Sequence, residues 1–311
     1  MSAPPETLAG VGDVDASGTT ALVTGSTRGI GRATARALGR LGADVLVHGR
    51  DPEAGEEVAG AIREDGADAA FVAADFTDRD AVCRLTEATC SWTDGLDLLF
   101  NNAGGLFQEK RLVGPGIEMT FYVNHLAPYL LTARLLDHLR EGARVVTTAS
   151  EAHRGATLDL DRTQGEASRA GMSAYGHSKL ANVLFAAELA RRLDAAGRTA
   201  TSNSVHPGFI PGSQFWRFLP GPLSGLFRTL GIVPGAASVA DGAAELLHVG
   251  VSPDTAETSG RYFAGQQPTA PAEPARDRAA AARLWARSAE MLGLDEPLAD
   301  AGAPSTAPGP R

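Results

Sequence analysis

Thr20-Ala-Leu-Val-Thr24-Gly25-Ser-Thr-Arg28-Gly29-Ile30-Gly31-Arg-Ala-Thr-Ala35 decides the fold. A short apolar run breaks into three closely spaced glycines and then into an amphipathic pattern. This predicts a strand over Thr20–Thr24, a tight turn, and a helix over Ile30–Leu41. Glycines let the backbone turn sharply and come close to a ligand. The helix start offers free N–H groups and the positive end of its dipole. An anionic group, above all a pyrophosphate, fits such a place. The spacing is GxxxGxG rather than the GxGxxG of the common dinucleotide fingerprint.

Working outward, strands are predicted at Asp44–His48, Ala69–Ala73, Leu96–Asn101, Arg144–Thr148, Thr201–His206 and Arg261–Phe263. Helices are predicted at Glu53–Glu64, Arg79–Ser91, Ile117–Arg140, Tyr175–Ala195, Ala236–His248 and Pro274–Leu292. Strand–helix alternation at this spacing implies a parallel sheet covered on both faces. The strands lack polar alternation, as expected when both faces are buried. The expectation is one α/β domain over 19–292, doubly wound, with about seven parallel strands. Residues 1–18 and 293–311 are expected to be flexible tails, because their small, acidic or Pro/Ala/Gly-rich composition offers little to a core.

The second strand ends His48-Gly49-Arg50. A ribose 2′-hydroxyl wants a carboxylate near this strand end, whereas a 2′-phosphate wants an Arg. Arg50, together with Arg28 of the glycine turn, favours NADP(H). Asp51, one residue on, could pair with either cation.

Lys110 and Lys179 are the only lysines among 28 basic residues. Lys179 follows Tyr175 by four positions in Tyr175-Gly-His-Ser-Lys179, so a helix presents both on one face. The ammonium is expected to lower the phenol pKa and make Tyr175 a proton donor near neutrality. Lys and Arg are not equivalent in that role.

The 311 residues carry 43% hydrophobic and 21% charged side chains with a net charge of −9. That balance describes an ordinary globular protein and argues against nucleic-acid or anionic-membrane surfaces. The N-terminus has neither the basic nor the apolar region of a signal peptide. No apolar run approaches the length of a membrane span. Cys83 and Cys90 lie too far apart on a predicted helix for a disulfide, which suggests free thiols and a cytoplasmic location. No cysteine or histidine cluster suggests a metal.

Taken together, residues 19–265 resemble the short-chain dehydrogenase/reductase family, and most of all its retinol-dehydrogenase-like members. The resemblance rests on Thr24-Gly25-xxx-Gly29-Ile30-Gly31, Asn101-Asn102-Ala103-Gly104, Tyr175-xxx-Lys179 and His206-Pro207-Gly208. Val123–Thr132, Arg144–His153 and Tyr175–Leu184 carry the likeness to the retinol-dehydrogenase-like members. It implies a Rossmann-type fold and an oxidoreductase. It implies Tyr175 as general acid or base, with Lys179 tuning it and holding the nicotinamide ribose. Ser150 would orient the substrate carbonyl and Asn124 would hold a relay water. Thr24, Gly25, Thr27, Arg28, Gly29, Ile30, Gly31, Arg50, Asp75, Phe76, Asn101, Asn102, Ala103, Gly104, Pro207 and Gly208 would line the cofactor, with Asp75 on the adenine amino group. His125, His153 and His177 are read as structural. The family often has Thr or Ser five residues after the Pro of the Pro-Gly turn; here that position is Gly212, followed by Ser213.

Residues 209–233 are rich in Phe, Leu and Trp, with Arg217 and Arg228 as their charges. As a substrate lid they predict a lipophilic small-molecule carbonyl or alcohol. The resemblance also implies a homodimer or tetramer formed through the helices at Ile117–Arg140 and Tyr175 onward. The expected function is NADPH-dependent reduction of a lipophilic ketone or aldehyde, or the reverse. The alternatives are another redox reaction on this scaffold, such as double-bond reduction or epimerisation, and a non-catalytic NADP-binding regulator.

Overall fold

The structure, a computed structural model, describes residues 3–210 and 237–299. The chain begins with a short helix, α1 (Pro5–Leu8), and then enters β1 (Thr20–Val23). There follow α2 (Gly29–Arg40), β2 (Asp44–Gly49), α3 (Pro52–Glu64), β3 (Ala69–Ala73), α4 (Arg79–Trp92) and β4 (Leu96–Asn101). A small hairpin of β5 (Leu112–Val113) and β6 (Ile117–Glu118) precedes α5 (Met119–Phe121), a π-helical stretch (Tyr122–Leu126) and α6 (Ala127–Leu135). The rest comprises β7 (Leu139–Thr148), α7 (Gly171–Ala195), β8 (Thr201–His206), α8 (Val239–Val251), β9 (Tyr262–Ala264), β10 (Gln267–Thr269) and α9 (Arg278–Leu292).

The main sheet has eight strands in the order β10-β9-β8-β7-β4-β1-β2-β3. Seven are parallel, as expected, and β10 adds an antiparallel edge. Successive residues of β1 serve opposite faces: Leu22 packs with α4, α6, α7 and α9, and Val23 with α2, α3 and α8. The chain order reverses at β1, so β2 and β4 leave it in opposite directions. The carboxyl ends of these strands open a crevice there.

Three expectations need correction. The first concerns the N-terminal residues, which are not a loose tail. Val11 is fully buried with Ala9 and Ala16, and both Glu6 oxygens accept from Arg40 at 2.7 and 2.8 Å. A few small apolar side chains suffice, because α2 and α8 offer them a ready surface. The second concerns residues 293–299, which are also held. Glu296 pairs with buried Arg192 at 2.6 Å, and the Trp285 indole donates to the Pro297 carbonyl at 3.0 Å. Residues 300–311 lie outside the described residues. The third concerns the helix expected over Ile117–Arg140, which starts later and ends sooner. Glu118 is in a strand, and its buried carboxylate caps the helix by accepting from the N–H groups of Thr120 and Phe121, both at 2.9 Å. By Leu139 the chain is already in β7.

The helices α6 and α7 pack against α9 within the chain. Trp285 stacks on Phe185 of α7 with ring centroids 5.8 Å apart and meets Tyr129 of α6 at 4.9 Å. The Arg192 guanidinium lies 5.0 Å from the Trp285 ring. No helix among the described residues is long and apolar enough to cross a membrane. Trp285→Ala is expected to destabilise the protein by about 3–5 kcal/mol, the usual cost of emptying a large aromatic site. Chemical denaturation measures it, and a loss under about 1 kcal/mol would show α9 to be a loosely attached appendage.

Candidate active site

The crevice is built from the ends of β1 and β4. The Thr24 hydroxyl donates to the Phe100 carbonyl at 3.0 Å and accepts from the N–H groups of Asn102 and Ala103, each at 3.0 Å. The Asn102 side chain donates to the Thr24 carbonyl at 2.8 Å. Gly25 sits at φ +68°, and a Cβ there would come within 2.9 Å of the Ala103 backbone. Glycine is required on both counts.

After this turn α2 begins at Gly29, with Arg28 as an N-cap that makes no side-chain cap bond. Its first N–H groups are therefore available to an anion. A Cβ on Gly29 would meet open space. The residues thus fit a dinucleotide, with its pyrophosphate at Gly29–Gly31. Thr27 lies under Gly49, where a Cβ would approach it to 2.4 Å, and Ile30 lies beside Gly242 near the Pro207 carbonyl. Gly208 follows with φ +86°.

Arg28 and Arg50 are both exposed. Asp51 does not engage them closely; it caps α3 by accepting from the Ala54 N–H at 3.2 Å. Asp75 accepts from Thr77 N–H and hydroxyl, both at 2.9 Å, and its other oxygen lies 3.8 Å from Arg50. The cap of α4 is Asp78. Asn101 does not face the crevice. Its amide donates to Thr132 of α6 at 2.9 Å, because alternate strand residues point to opposite faces. The Phe76 ring is likewise buried, stacked on His48 with centroids 4.6 Å apart.

Beyond Gly104 the catalytic candidates converge. A Cβ on Gly104 would lie 2.8 Å from Asn124 Oδ1 and 3.7 Å from Lys179 Nζ. Asn124, in the π-helical stretch, accepts from the Gly105 N–H at 2.8 Å and donates to the Gly105 carbonyl and Ser178 hydroxyl, both at 2.9 Å. Such a widened turn re-aims side chains within a helix. Lys179 is buried and donates to the Thr148 carbonyl at 2.9 Å. Its Nζ is 5.6 Å from the centre of the Tyr175 ring. Tyr175 and Ser150 share a side-chain hydrogen bond. Ser150 also caps the 3₁₀ turn Glu151–Gly155.

The comparisons agree with this architecture. The short chain dehydrogenase family profile matches residues 19–218. Mouse retinol dehydrogenase 12 is 36% identical over 288 residues, covering 91% of this chain and 89% of that protein.

The chain belongs to the short-chain dehydrogenase family.

Mouse polyprenol dehydrogenase is 37% identical over 284 residues, covering 89% of this chain and 84% of the relative. The crystal structure of a short-chain dehydrogenase from Burkholderia cenocepacia in complex with NADP superposes with a TM-score of 0.65 at 31% identity. It covers 80% of this chain and 96% of the other.

In this short-chain dehydrogenase the expected lowering of the Tyr175 pKa by Lys179 does not occur. Burial pushes the phenol up to about 12, and the bond to Ser150 only partly opposes it. Burial also brings Lys179 down to about 8. Desolvation disfavours both charged forms, and for Tyr175 it is the largest cause.

Two supporting residues escaped the sequence reading. His48 accepts from the Gly25 N–H through Nδ1 at 3.2 Å and donates from Nε2 to the Ala74 carbonyl at 3.1 Å, clamping the glycine turn to β2 and β3. Burial keeps it neutral, down to about 4. Asn182 joins Lys179 on the Thr148 carbonyl at 3.0 Å. A histidine at a strand end gives only a weak signal, and its partners are distant in sequence. Asn182 stands seven residues after Tyr175, on the same helix face. The lid at 209–233, with Gly212 and Ser213, lies outside the described residues except for Phe209 and Ile210.

Because the Lys179 pKa falls from 10.5 to about 8, the folded chain holds that proton less tightly than the unfolded chain. The charged side chain therefore costs stability below about pH 8, and the cost fades as pH approaches the unfolded value. Lys179→Met is expected to raise Tm at pH 7. The gain is about 3 kcal/mol from removing the buried charge, less about 1 kcal/mol for the lost bond to Thr148. Thermal melts across pH 7 to 10.5 check this; an offset that did not shrink with rising pH would contradict it.

Proposed function

We propose that this dehydrogenase is an NADPH-dependent reductase of a lipophilic ketone or aldehyde, or runs the same reaction in reverse, with Tyr175 as the proton donor. The observation that carries the reading is the hydrogen-bonded pair of Tyr175 and Ser150, with buried Lys179 on the same helix as Tyr175 and close to Gly104. A bound nicotinamide cofactor supplies hydride chemistry. The protein's part is to hold the carbonyl oxygen between two hydroxyls and give it a proton. Ser150 fixes the oxygen, and Tyr175, protonated at neutral pH, donates to it. Lys179, anchored on Thr148, would hold the nicotinamide ribose and return a proton to Tyr175. Asn124 holds the Gly105 backbone and α7 in register, which supports a role in that relay.

Arg28 and Arg50 support a 2′-phosphate, since both are exposed and Asp51 is occupied with α3. NADP in the Burkholderia relative agrees with that preference. Lipophilic substrates are supported by the named relatives, a retinol and a polyprenol dehydrogenase. Among the described residues the exposed large apolar side chains are Met172, Phe209 and Val239. Met172 lies one turn before Tyr175, and Phe209 follows the Pro-Gly turn, which supports an apolar substrate approaching from that side. Free Cys83 and Cys90 support a cytoplasmic location. A homodimer or tetramer would have to form outside the surface that α9 covers.

Fluorescence titration with NADPH and NADH, in wild type and Arg50→Ala, tests the cofactor assignment. Tighter binding of NADPH is expected, with the preference reduced about tenfold or more in the variant. Equal affinities would overturn it. With NADPH and all-trans-retinal as probe, Tyr175→Phe is expected to lower kcat by at least about 100-fold. Turnover left unchanged in that variant would remove Tyr175 from the chemistry.

A further inference from the structure

Ser150 is held at its backbone as well as at its hydroxyl, and the holding group comes from its own turn. His153 is fully buried. Its Nδ1 lies 2.7 Å from the Ser150 carbonyl, and its Nε2 lies 3.1 Å from the Ala272 N–H. A backbone N–H can only donate, so Nε2 must accept. A carbonyl can only accept, so Nδ1 must carry the proton. One neutral tautomer satisfies both partners. The ring is therefore a fixed strut between the active-site serine and the segment that leads into α9.

The same turn is tied down in three further ways. The His153 N–H donates to the Ser150 carbonyl at 3.1 Å. Glu151 accepts from the Tyr262 hydroxyl of β9 at 2.6 Å and from Arg154 Nε at 2.5 Å. Arg154 also donates to the Ala270 carbonyl at 3.1 Å. On the other side the turn rests against α7 at Gly176, where a Cβ would come within 2.9 Å of the Ala152 carbonyl oxygen. Gly176 is the neighbour of Tyr175. The Ser150–Tyr175 pair is thus set by a turn wedged between α7 and the C-terminal segment.

We propose that His153 is a positioning residue: it couples the Ser150 backbone to Ala272 and so fixes the Ser150 hydroxyl against Tyr175. The proposal rests on the reductase reading for its effect on turnover, but the strut itself is a property of the imidazole. Burial holds the His153 pKa below its ordinary value, with the Ser150 bond opposing and Arg154 reinforcing. The charged and titratable groups that face it are Glu151 and Arg154 on its own turn, His206 at the end of β8, and Tyr262 on β9. An imidazolium would have to donate from Nε2 towards an N–H, which the geometry forbids.

The test uses the full chain in four forms: wild type, His153→Leu, His153→Asn and Ala272→Pro. Asn places an amide N–H where Nδ1 stands and so keeps the Ser150 bond alone. Ala272 has φ −58°, which proline adopts, so the proline variant deletes only the N–H that reaches Nε2. With NADPH and all-trans-retinal, His153→Leu is expected to lower kcat about tenfold or more while KM for NADPH stays within about twofold. His153→Asn and Ala272→Pro, which keep the Ser150 bond and lose the link to Ala272, are each expected to fall between His153→Leu and wild type. A kcat in His153→Leu within twofold of wild type would overturn the proposal, as would equal losses in the Leu and Asn variants. Nitrogen-15 NMR of the histidine rings supplies the second reading. A neutral Nδ1–H tautomer is expected for His153 at pH 7, with its Nε2 resonance shifted in Ala272→Pro. An Nε2–H tautomer or an imidazolium would sink the strut whatever the kinetics. Should wild type turn over no carbonyl, the reductase reading fails and the NMR result alone decides the strut.

Discussion

Everything in this molecule that concerns chemistry depends on one hydroxyl joining two strand ends. Thr24 closes β1 onto β4 by donating to Phe100 and accepting from Asn102 and Ala103. A parallel sheet leaves backbone groups unpaired where its strands end, and the crevice at the order reversal is where they gather. Thr24 bonds three of them and brings Gly25 so close to Ala103 that no side chain could stand there. That contact sets the depth of the crevice. From it follow the start of α2, the exposure of its first N–H groups, and the position of Gly104 opposite Asn124 and Lys179. His48 secures the far side of the same turn, so it is braced by three strands.

The catalytic pair is costly in this setting. Tyr175 and Lys179 are both buried, and desolvation drives each towards its neutral form. A chain selected only for stability would place an apolar side chain at residue 179. On the proposed reading that cost is met because the Lys179 donor serves a ligand within the fold rather than in water. The Thr148 carbonyl, shared with Asn182, keeps the ammonium from withdrawing to solvent. Such locally unfavourable arrangements, over-determined by their surroundings, mark sites where function and stability conflict.

The sequence disclosed what depends on short-range spacing. The glycine turn, the Tyr175–Lys179 pair and the strand–helix alternation each follow from residues within a few positions of one another. What depends on distant partners stayed hidden. The segment 1–18 looked too polar and small to fold, yet Val11 needs only the surface that α2 and α8 provide. Asn101 looked equivalent to Asn102 next to it, but alternation along the strand turns it towards Thr132. The Tyr175 pKa could not be read from the presence of a nearby lysine, because burial is a property of the assembled fold. The cap at Glu118 and the π-helical stretch around Asn124 have no fixed sequence signature.

The C-terminal residues show how such hidden contacts reach the site. Trp285 fastens α9 to α6 and α7, and the segment just before α9 meets the Ser150 turn through Ala270 and Ala272. The helix that shields the outer faces of α6 and α7 is thus continuous with the residues that brace the serine. Both tasks need the same rigid-body placement, and a core aromatic supplies it better than a surface ion pair could, since packing in the interior tolerates little displacement. Met172 and Phe209, by contrast, are exposed. The turn that carries Ser150 is thus held through the packing of α9 as well as through its own hydrogen bonds.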